Sequence, residues 1–415
     1  IYERQSDETL LIGSTMQHRD QAVHVNPDAL LGKHFAVLGT TGTGKSCAVT
    51  QVLHGLLEAH DNAHIVLLDP HDEYPAAFGD RAERLGPDQL QLPYWLFNAE
   101  EICSVVLGLP PRNHTEEGAE GILKELIPIA KQVANPELAQ EISITVDTPV
   151  PYRLSDLDAL IDEAMGRLEK ADRMAPLKLL KTRLSVLRND PRFTFMFGGI
   201  AVQDNMASII SKLLRIPTDG KPLTIIDLSS VPSEVLNVVV SVLCRLIFDF
   251  AVWSRGAEPI LLVCEEAHRY APADGSLGFG PAKDGLARIA KEGRKYGLSL
   301  CMVSQRPSEL APLILSQCST IFAFRMTSLR DQEFVRGIIP DDSLGLLDFL
   351  PSLGDAEAIV AGQAVAVPVR VSIPRLPSHQ CPASSTGRFA TAWSREALDR
   401  DFVREVVDKW RRQRR

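Results

Sequence analysis

Along the middle of this chain, short wholly apolar runs alternate with longer stretches in which apolar residues recur every three or four positions. The runs at 34–38, 65–68, 223–228, 260–264, 298–303 and 320–324 have no in/out alternation, which predicts strands buried on both faces, as in a parallel sheet. Between them, 46–59 places Val49, Val52, Leu53, Leu56 and Leu57 at helical spacing, and 235–253 does the same over a longer span. Strands alternating with helices predict an α/β fold around a mostly parallel central sheet. From about 100 to 192 the period is helical throughout. Helices are expected at 116–133, 154–169 and 175–187, divided by the proline-containing segment 145–151. This reads as a helical insertion between strands of the sheet.

The ends differ. Residues 1–33 are β-leaning, with candidate strands at 10–12 and 22–25, and are too few to form a domain alone. Strands at 356–360 and 364–371 flank Ala361-Gly-Gln363 as a predicted hairpin. A Pro/Ser-rich link, 374–387, leads to a last helix expected at 394–412. The division is therefore 1–33, a first core part 34–99, the insertion 100–192, a second core part 193–375, and a link with terminal helix 376–415.

Candidate chemistry begins where the first buried strand ends. Gly39, Thr40, Thr41, Gly42, Thr43, Gly44, Lys45 and Ser46 form G-x-x-x-x-G-K-[ST], with Cys47 in the first turn of the following helix. Strand, glycine loop and helix together make a phosphate cradle: backbone N–H groups curl around phosphate oxygens at a helix N-terminus. Lys45 is expected to reach the β- and γ-phosphates of ATP and the Ser46 hydroxyl to ligate Mg²⁺.

The run 261–264 ends in Glu265 and Glu266, at the edge where parallel sheets build their sites. Glu265 is expected to organise Mg²⁺ or its waters, and Glu266 to orient and deprotonate the water attacking the γ-phosphate. Gln305 closes the next strand and could bond that phosphate or water, although Ser304 and Pro307 would equally make a plain strand-end turn. Asp69 follows a buried strand and could act near the metal or the water, or simply form a turn. Arg288, Lys291, Arg294 and Lys295 form a basic set on one predicted helix, 284–296. It is either a solvated face or the source of an arginine finger acting on a neighbouring subunit's site, Arg294 before Arg288. His71 and His268 receive no role.

Composition changes little. The chain has 415 residues, 45% hydrophobic and 23% charged, as in ordinary globular proteins. A net charge of −9 argues against a broad basic coat for nucleic acid and leaves room for a small basic surface such as a ring's pore. Seven cysteines without a C-x-x-C pair read as buried thiols in a reducing compartment, so neither zinc nor disulfides are expected. No apolar run looks long enough to span a bilayer and no signal peptide is evident, which predicts a cytoplasmic protein without a membrane partner. The first residue is Ile1, so a piece of a longer protein is expected.

Taken together, the stretch from His34 to Ser46, Asp69-Pro-His-Asp-Glu-Tyr74, Glu265-Glu-Ala-His268, Glu292-Gly-Arg-Lys-Tyr-Gly297 and Ser304-Gln-Arg-Pro307 resemble the HerA family. These are hexameric DNA-translocating ATPases of the wider FtsK/HerA class. The likeness runs in order from about residue 10 to 375. It implies a RecA-like P-loop NTPase core with an inserted helical subdomain, ATP bound between subunits of a homohexamer, and double-stranded DNA in the central pore. It also implies that 1–33 is the remnant of an N-terminal β-barrel and that Lys33, ahead of the first strand, could act in trans. Thr43 stands where that pattern has Ser. Partners implied are a NurA-like nuclease in DNA end resection, or a nuclease or sirtuin-like NAD-consuming effector in antiphage defence. Pore contacts are sought in 271–284, with Lys283, and in 188–192; ordinary surface loops would read the same.

Two functions stay in play at this point. One is a motor coupling Mg²⁺-dependent ATP hydrolysis to translocation or unwinding of duplex DNA. The other is a scaffold ring, regulated by ATP, that assembles and activates an effector without processive movement. A metabolic kinase fits poorly with paired glutamates suited to water activation, and no L-S-G-G-Q-like segment supports an ABC-type ATPase.

Overall fold

A computed structural model of the chain describes residues 9–18, 20–90, 92–108, 113–166, 171–197, 202–275, 277–339, 345–383, 393–394 and 400–411. Eleven strands form one sheet: β1 (Leu10–Thr15), β2 (Ala22–Val25), β3 (Phe35–Leu38), β4 (His64–Asp69), β5 (Ala82–Leu85), β6 (Leu223–Asp227), β7 (Ile260–Cys264), β8 (Leu298–Ser304), β9 (Thr320–Phe324), β10 (Glu357–Gly362) and β11 (Val369–Ser372). Their order is β2-β1-β11-β10-β9-β3-β8-β7-β4-β6-β5. From β9 to β5 every neighbouring pair is parallel, and from β9 to β2 every pair is antiparallel.

The unalternating apolar runs are explained by layers on both faces. Ala36, Leu38, Val66, Leu68, Leu262 and Leu300 point into one core, shared with the helix Ser233–Trp253 and the helical insertion. Their neighbours Phe35, Val37, Ile65, Leu67, Leu261 and Cys301 point into a second core under the helix Lys45–Ala59. The P-loop helix and the insertion therefore lie on opposite faces. Ser233–Trp253 corrects one expectation: its stretch Val235–Trp253 is long and apolar enough to cross a membrane, with mean hydropathy 2.2, yet 72% of it is buried inside the fold. It is strongly apolar because most of it is enclosed by the fold.

The insertion is helical as the period predicted and runs further. Ala99–Leu107, His114–Ala134, Leu154–Gly166 and Ala171–Asn189 are followed by Thr194–Phe197 and Met206–Leu214, so helices continue past residue 192 to the approach of β6. The predicted end of the second long helix, 167–169, lies outside the described residues. Gly118 lets two helices approach: a Cβ there would lie 2.9 Å from Pro176 Cγ. Glu101, almost wholly buried, accepts hydrogen bonds from Asn98 N, Ser241 Oγ and Arg245 Nε at 2.9–3.0 Å, tying the insertion to Ser233–Trp253. Lys131, also buried, donates to the carbonyls of Val146 and Thr148 at 2.6 Å and so fastens the proline-containing segment; burial brings its amine down to about 8.

Three readings need correction. Residues 10–25 are not separate from the core sheet: β1 pairs with β2 and with β11. β5 was not foreseen; only Leu85 of its four residues is buried, so an edge strand left no apolar run. In the hairpin the second strand begins at Val369 rather than 364. The last helix is described as Arg400–Arg411, and the rest of its predicted span, apart from Ser394, lies outside the described residues.

Candidate nucleotide site

Four parallel strands end side by side on one edge of the sheet, each with a polar residue. β3 runs into the glycine loop, β8 into Gln305, β7 into Glu265 and Glu266, and β4 ends on Asp69. β8 stands between the loop strand and the glutamate strand, so the loop faces the carboxylates across one strand width, about 10 Å.

The loop's glycines are required by its path. Gly39 and Gly44 adopt φ of 156° and 106°, and Cβ atoms there would lie 2.5 Å from Phe324 Cβ and 3.0 Å from Ala356 Cα. Gly42, at φ 76°, faces open space, where backbone must meet a ligand closely. Thr43 Oγ1 donates to the Thr40 carbonyl at 2.8 Å and Thr40 Oγ1 to the Arg325 carbonyl at 3.0 Å, and the N–H groups of Gly39 and Thr40 donate to the Ser304 and Arg325 carbonyls, which fixes the start of the loop. Lys45 Nζ folds back to the Thr40 carbonyl at 3.0 Å. Burial lowers this amine, opposed by Glu265, Glu266 and Glu73.

A cavity of about 250 Å³ joins these groups, lined by Thr41, Gly42, Gly44, Lys45, Ser46, Cys47, Asp69, Glu73, Glu265, Glu266 and Gln305 among others. Thr41 Oγ1 donates to Gln305 Oε1, so the glutamine is bonded to the loop itself. Glu265 is raised above the usual carboxylate range by burial, opposed by a hydrogen bond from the Tyr74 hydroxyl. Glu266 sits at φ 50°, ψ 43°, a left-handed conformation that costs a glutamate of order 1 kcal/mol or more. Its Oε2 is buried without a hydrogen bond, although the His268 ring nitrogen approaches to 3.3 Å. A strained carboxylate with an unbonded oxygen beside a pocket has a free acceptor for a water.

Several predicted residues stand elsewhere or do other work. Asp69 lines the cavity, yet Oδ1 accepts from His71 N at 3.1 Å and Oδ2 from Tyr74 N at 3.0 Å. Arg294 is exposed at the opposite edge of the sheet, just ahead of β8, where it lines a larger cavity of about 590 Å³. Lys33, beside the start of β3, shares that edge and donates to Gln363 Oε1. Arg288 stacks over Phe248, its guanidinium carbon 4.3 Å from the ring centroid, so the chain engages it internally. Of the pore candidates, Arg188 pairs with Asp158 at 3.5 Å and Arg192 with Asp190 at 2.7 Å.

Sequence reasoning gave no role to Glu73, Tyr74, His71 or His268. Ser46 Oγ meets Glu73 Oε2 at 3.4 Å, and His71 Nε2 lies 3.9 Å from Glu266 Oε1. Glu73 and Tyr74 follow Asp69 within five residues, and the signal was that proximity alone.

The family model for the central domain of helicase HerA matches residues 10–247. The chain belongs to the HerA family. It is an ATP hydrolase of the P-loop class. This HerA-family chain is 26% identical to the DNA double-strand break repair helicase HerA of Pyrococcus furiosus, over 87% of its own length and 69% of that protein. It is 30% identical to the HerA of Sulfurisphaera tokodaii, over 88% and 68%. Among solved structures, VirB4 of Thermoanaerobacter pseudethanolicus superposes with a TM-score of 0.60 at 16% identity, covering 90% of this chain and 98% of that one. The plasmid coupling protein TrwB, in complex with ADP and Mg²⁺, gives 0.60 at 17% identity, covering 93% and 94%. At such identities these two show a shared fold.

Proposed function

We propose that this HerA-family ATPase works as a ring of identical subunits, a hexamer, whose ATP hydrolysis drives movement along duplex DNA. One observation carries the reading: the loop-and-carboxylate pocket and the basic residues Arg294 and Lys33 stand at opposite edges of one sheet. The pocket at the carboxyl ends of the strands has Lys45 but no arginine among its lining residues. Arg294 and Lys33 stand at the amino ends, too far around the sheet to serve their own pocket. Head-to-tail contact brings one edge of a subunit against the other edge of the next, and such heterologous contacts form rings when the rotation between subunits closes.

The donor set fits Mg²⁺. Ser46 and Glu265 would hold it with Glu73 nearby, all hard oxygen ligands. Among the described residues no cluster of three His, Cys, Asp or Glu builds a cage, as expected for an ion held chiefly by nucleotide phosphates. Once bound, the ion neutralises charge on the β- and γ-phosphates. Lys45 leaves the Thr40 carbonyl for those phosphates, Glu266 accepts a proton from the attacking water, and Gln305 holds that water or the γ-phosphate from the loop side. Arg294 of the neighbouring subunit supports charge on the transferred group.

The relatives named for DNA double-strand break repair support DNA as the track, and the family likeness supports a nuclease or another effector as partner. A second reading draws on the engaged arginines: with Arg188 and Arg192 paired internally and a net charge of −9, the ring could act as an ATP-governed scaffold for its effector. ATPase rate and particle mass, measured with and without duplex DNA, separate these. The motor requires a multimeric particle whose turnover rises with DNA. Turnover by a ring that ignores DNA supports the scaffold, and turnover by a monomer contradicts both.

A further inference from the structure

We propose that Tyr74 is a positioning residue for hydrolysis: its hydroxyl holds the Glu265 carboxylate in place at the pocket, and Asp69 acts through it. The proposal rests on the ATP-hydrolysing pocket and is independent of the ring and of DNA.

Tyr74 is wholly buried in the core beneath the P-loop helix, among Val49, Leu67 and Phe78. Packing there would be served by phenylalanine. A phenol hydroxyl taken from water costs free energy unless it is bonded, so its partner is the reason for its presence. That partner is Glu265 Oε1. Ser46, which lines the same cavity, meets Glu73 Oε2 through its Oγ at 3.4 Å, on the residue next to Tyr74. The neighbours Glu73 and Tyr74 thus connect the last residue of the phosphate loop to the first residue after β7, two groups distant in sequence that must act on one ligand.

Glu265 needs this help. It is buried, and among the described residues Tyr74 is the side chain that hydrogen-bonds it. Without that bond the carboxylate keeps its burial and loses its fixed orientation. Tyr74 is itself placed by Asp69, whose Oδ2 accepts the Tyr74 N–H and whose Oδ1 accepts that of His71. Both Asp69 oxygens thereby shape the turn that ends β4 and delivers the phenol. The sequence position that looked like a metal or water ligand is, on this reading, the anchor of a turn.

The test uses Tyr74→Phe, Asp69→Asn and the double variant of the full chain, with three readouts. These are steady-state ATPase, binding of a fluorescent adenine nucleotide in EDTA and in Mg²⁺, and thermal unfolding. Tyr74→Phe is expected to stay folded, melting lower only by what one buried carboxylate without its hydrogen bond costs, and to bind nucleotide equally in EDTA. It should lose most of the tightening that Mg²⁺ confers and lower kcat about 10- to 100-fold, the scale of a hydrogen bond to a charged group. Asp69→Asn should add little in the Tyr74→Phe background, because the two lie on one chain of contacts. Parent-like kcat and Mg²⁺ response in Tyr74→Phe would overturn the proposal, as would equal losses with and without Mg²⁺ accompanied by a lower melting temperature. An Asp69→Asn effect of full size in both backgrounds would overturn the claim that Asp69 acts through Tyr74. If the parent binds no nucleotide under either condition, it is the ATPase reading that fails.

Discussion

The two edges of the parallel sheet are chemically opposite. At the carboxyl ends of β3, β8, β7 and β4 the chain gathers a glycine loop, one lysine and the carboxylates of Asp69, Glu73, Glu265 and Glu266 around a 250 Å³ cavity. At the amino ends lie Arg294, Lys33 and the buried His34. The first edge is a dense set of mutually constrained groups, with Thr41 bonded to Gln305, Tyr74 to Glu265, and Lys45 held by the loop. Arg294 at the second edge is exposed, beside a cavity more than twice as large. If the proposed division holds, turnover requires two subunits to meet. The contrast also separates what breaks chemistry from what breaks folding.

The largest effect is expected from Arg294→Ala. An arginine finger contributes about 10³-fold or more to kcat, so ATPase should fall by that order while folding and nucleotide binding persist, the residue being exposed. Retained turnover would break the comparison, for the amino-end edge would then be inert. On the opposite edge, Glu266→Gln removes the proposed base and should cost about 10²- to 10⁴-fold in turnover. Nucleotide should still bind, and equilibrium binding beside single-turnover hydrolysis would show it. Relief of the left-handed strain at residue 266 is not expected, since glutamine meets the same backbone.

A smaller effect concerns stability at the amino-end edge. His34 is buried as a neutral ring, with Nδ1 accepting from Leu300 N and Nε2 donating to the Ala290 carbonyl, both at 3.0 Å. Burial lowers it below 6.5, with Arg294 adding to the shift. The unfolded chain therefore takes up a proton before the folded one does. This stability is complete above the unfolded value and is lost as pH falls from about 6.5 towards the folded value, at up to about 1.4 kcal/mol per pH unit. Denaturation midpoints for His34→Gln should fall less steeply between pH 7 and 5 than those of the parent, by about one proton. Identical slopes would show that the ring does not titrate differently on folding.

The carboxyl-end edge was largely legible in the sequence, and for a physical reason. Its residues are tied to strand ends: Gly39 to Ser46 are contiguous, and Glu265, Gln305 and Asp69 each follow an apolar run that announces a buried strand. The contacts that hold them were not legible. Nothing local marks Tyr74 as the partner of a glutamate 191 positions away, or Thr41 as that of Gln305. At the other edge, charge spacing could not separate Arg294 from Arg288, because the difference lies in Phe248, on a helix that packs alongside. The fold showed the same split. Strands buried on both faces were read, whereas the edge strand β5 was missed and β1 and β2 were set apart from the sheet they join.

The central claim is that one pocket is built from two subunits, and mixing subunits tests it most directly. Lys45→Ala lacks a working loop but keeps Arg294, and Arg294→Ala has the reverse. Each alone should be almost inactive. Mixed rings contain boundaries where an intact loop faces an intact arginine, so the account predicts ATPase well above the sum of the two separate preparations. A mixture no more active than that sum, from subunits shown to co-assemble, would contradict it.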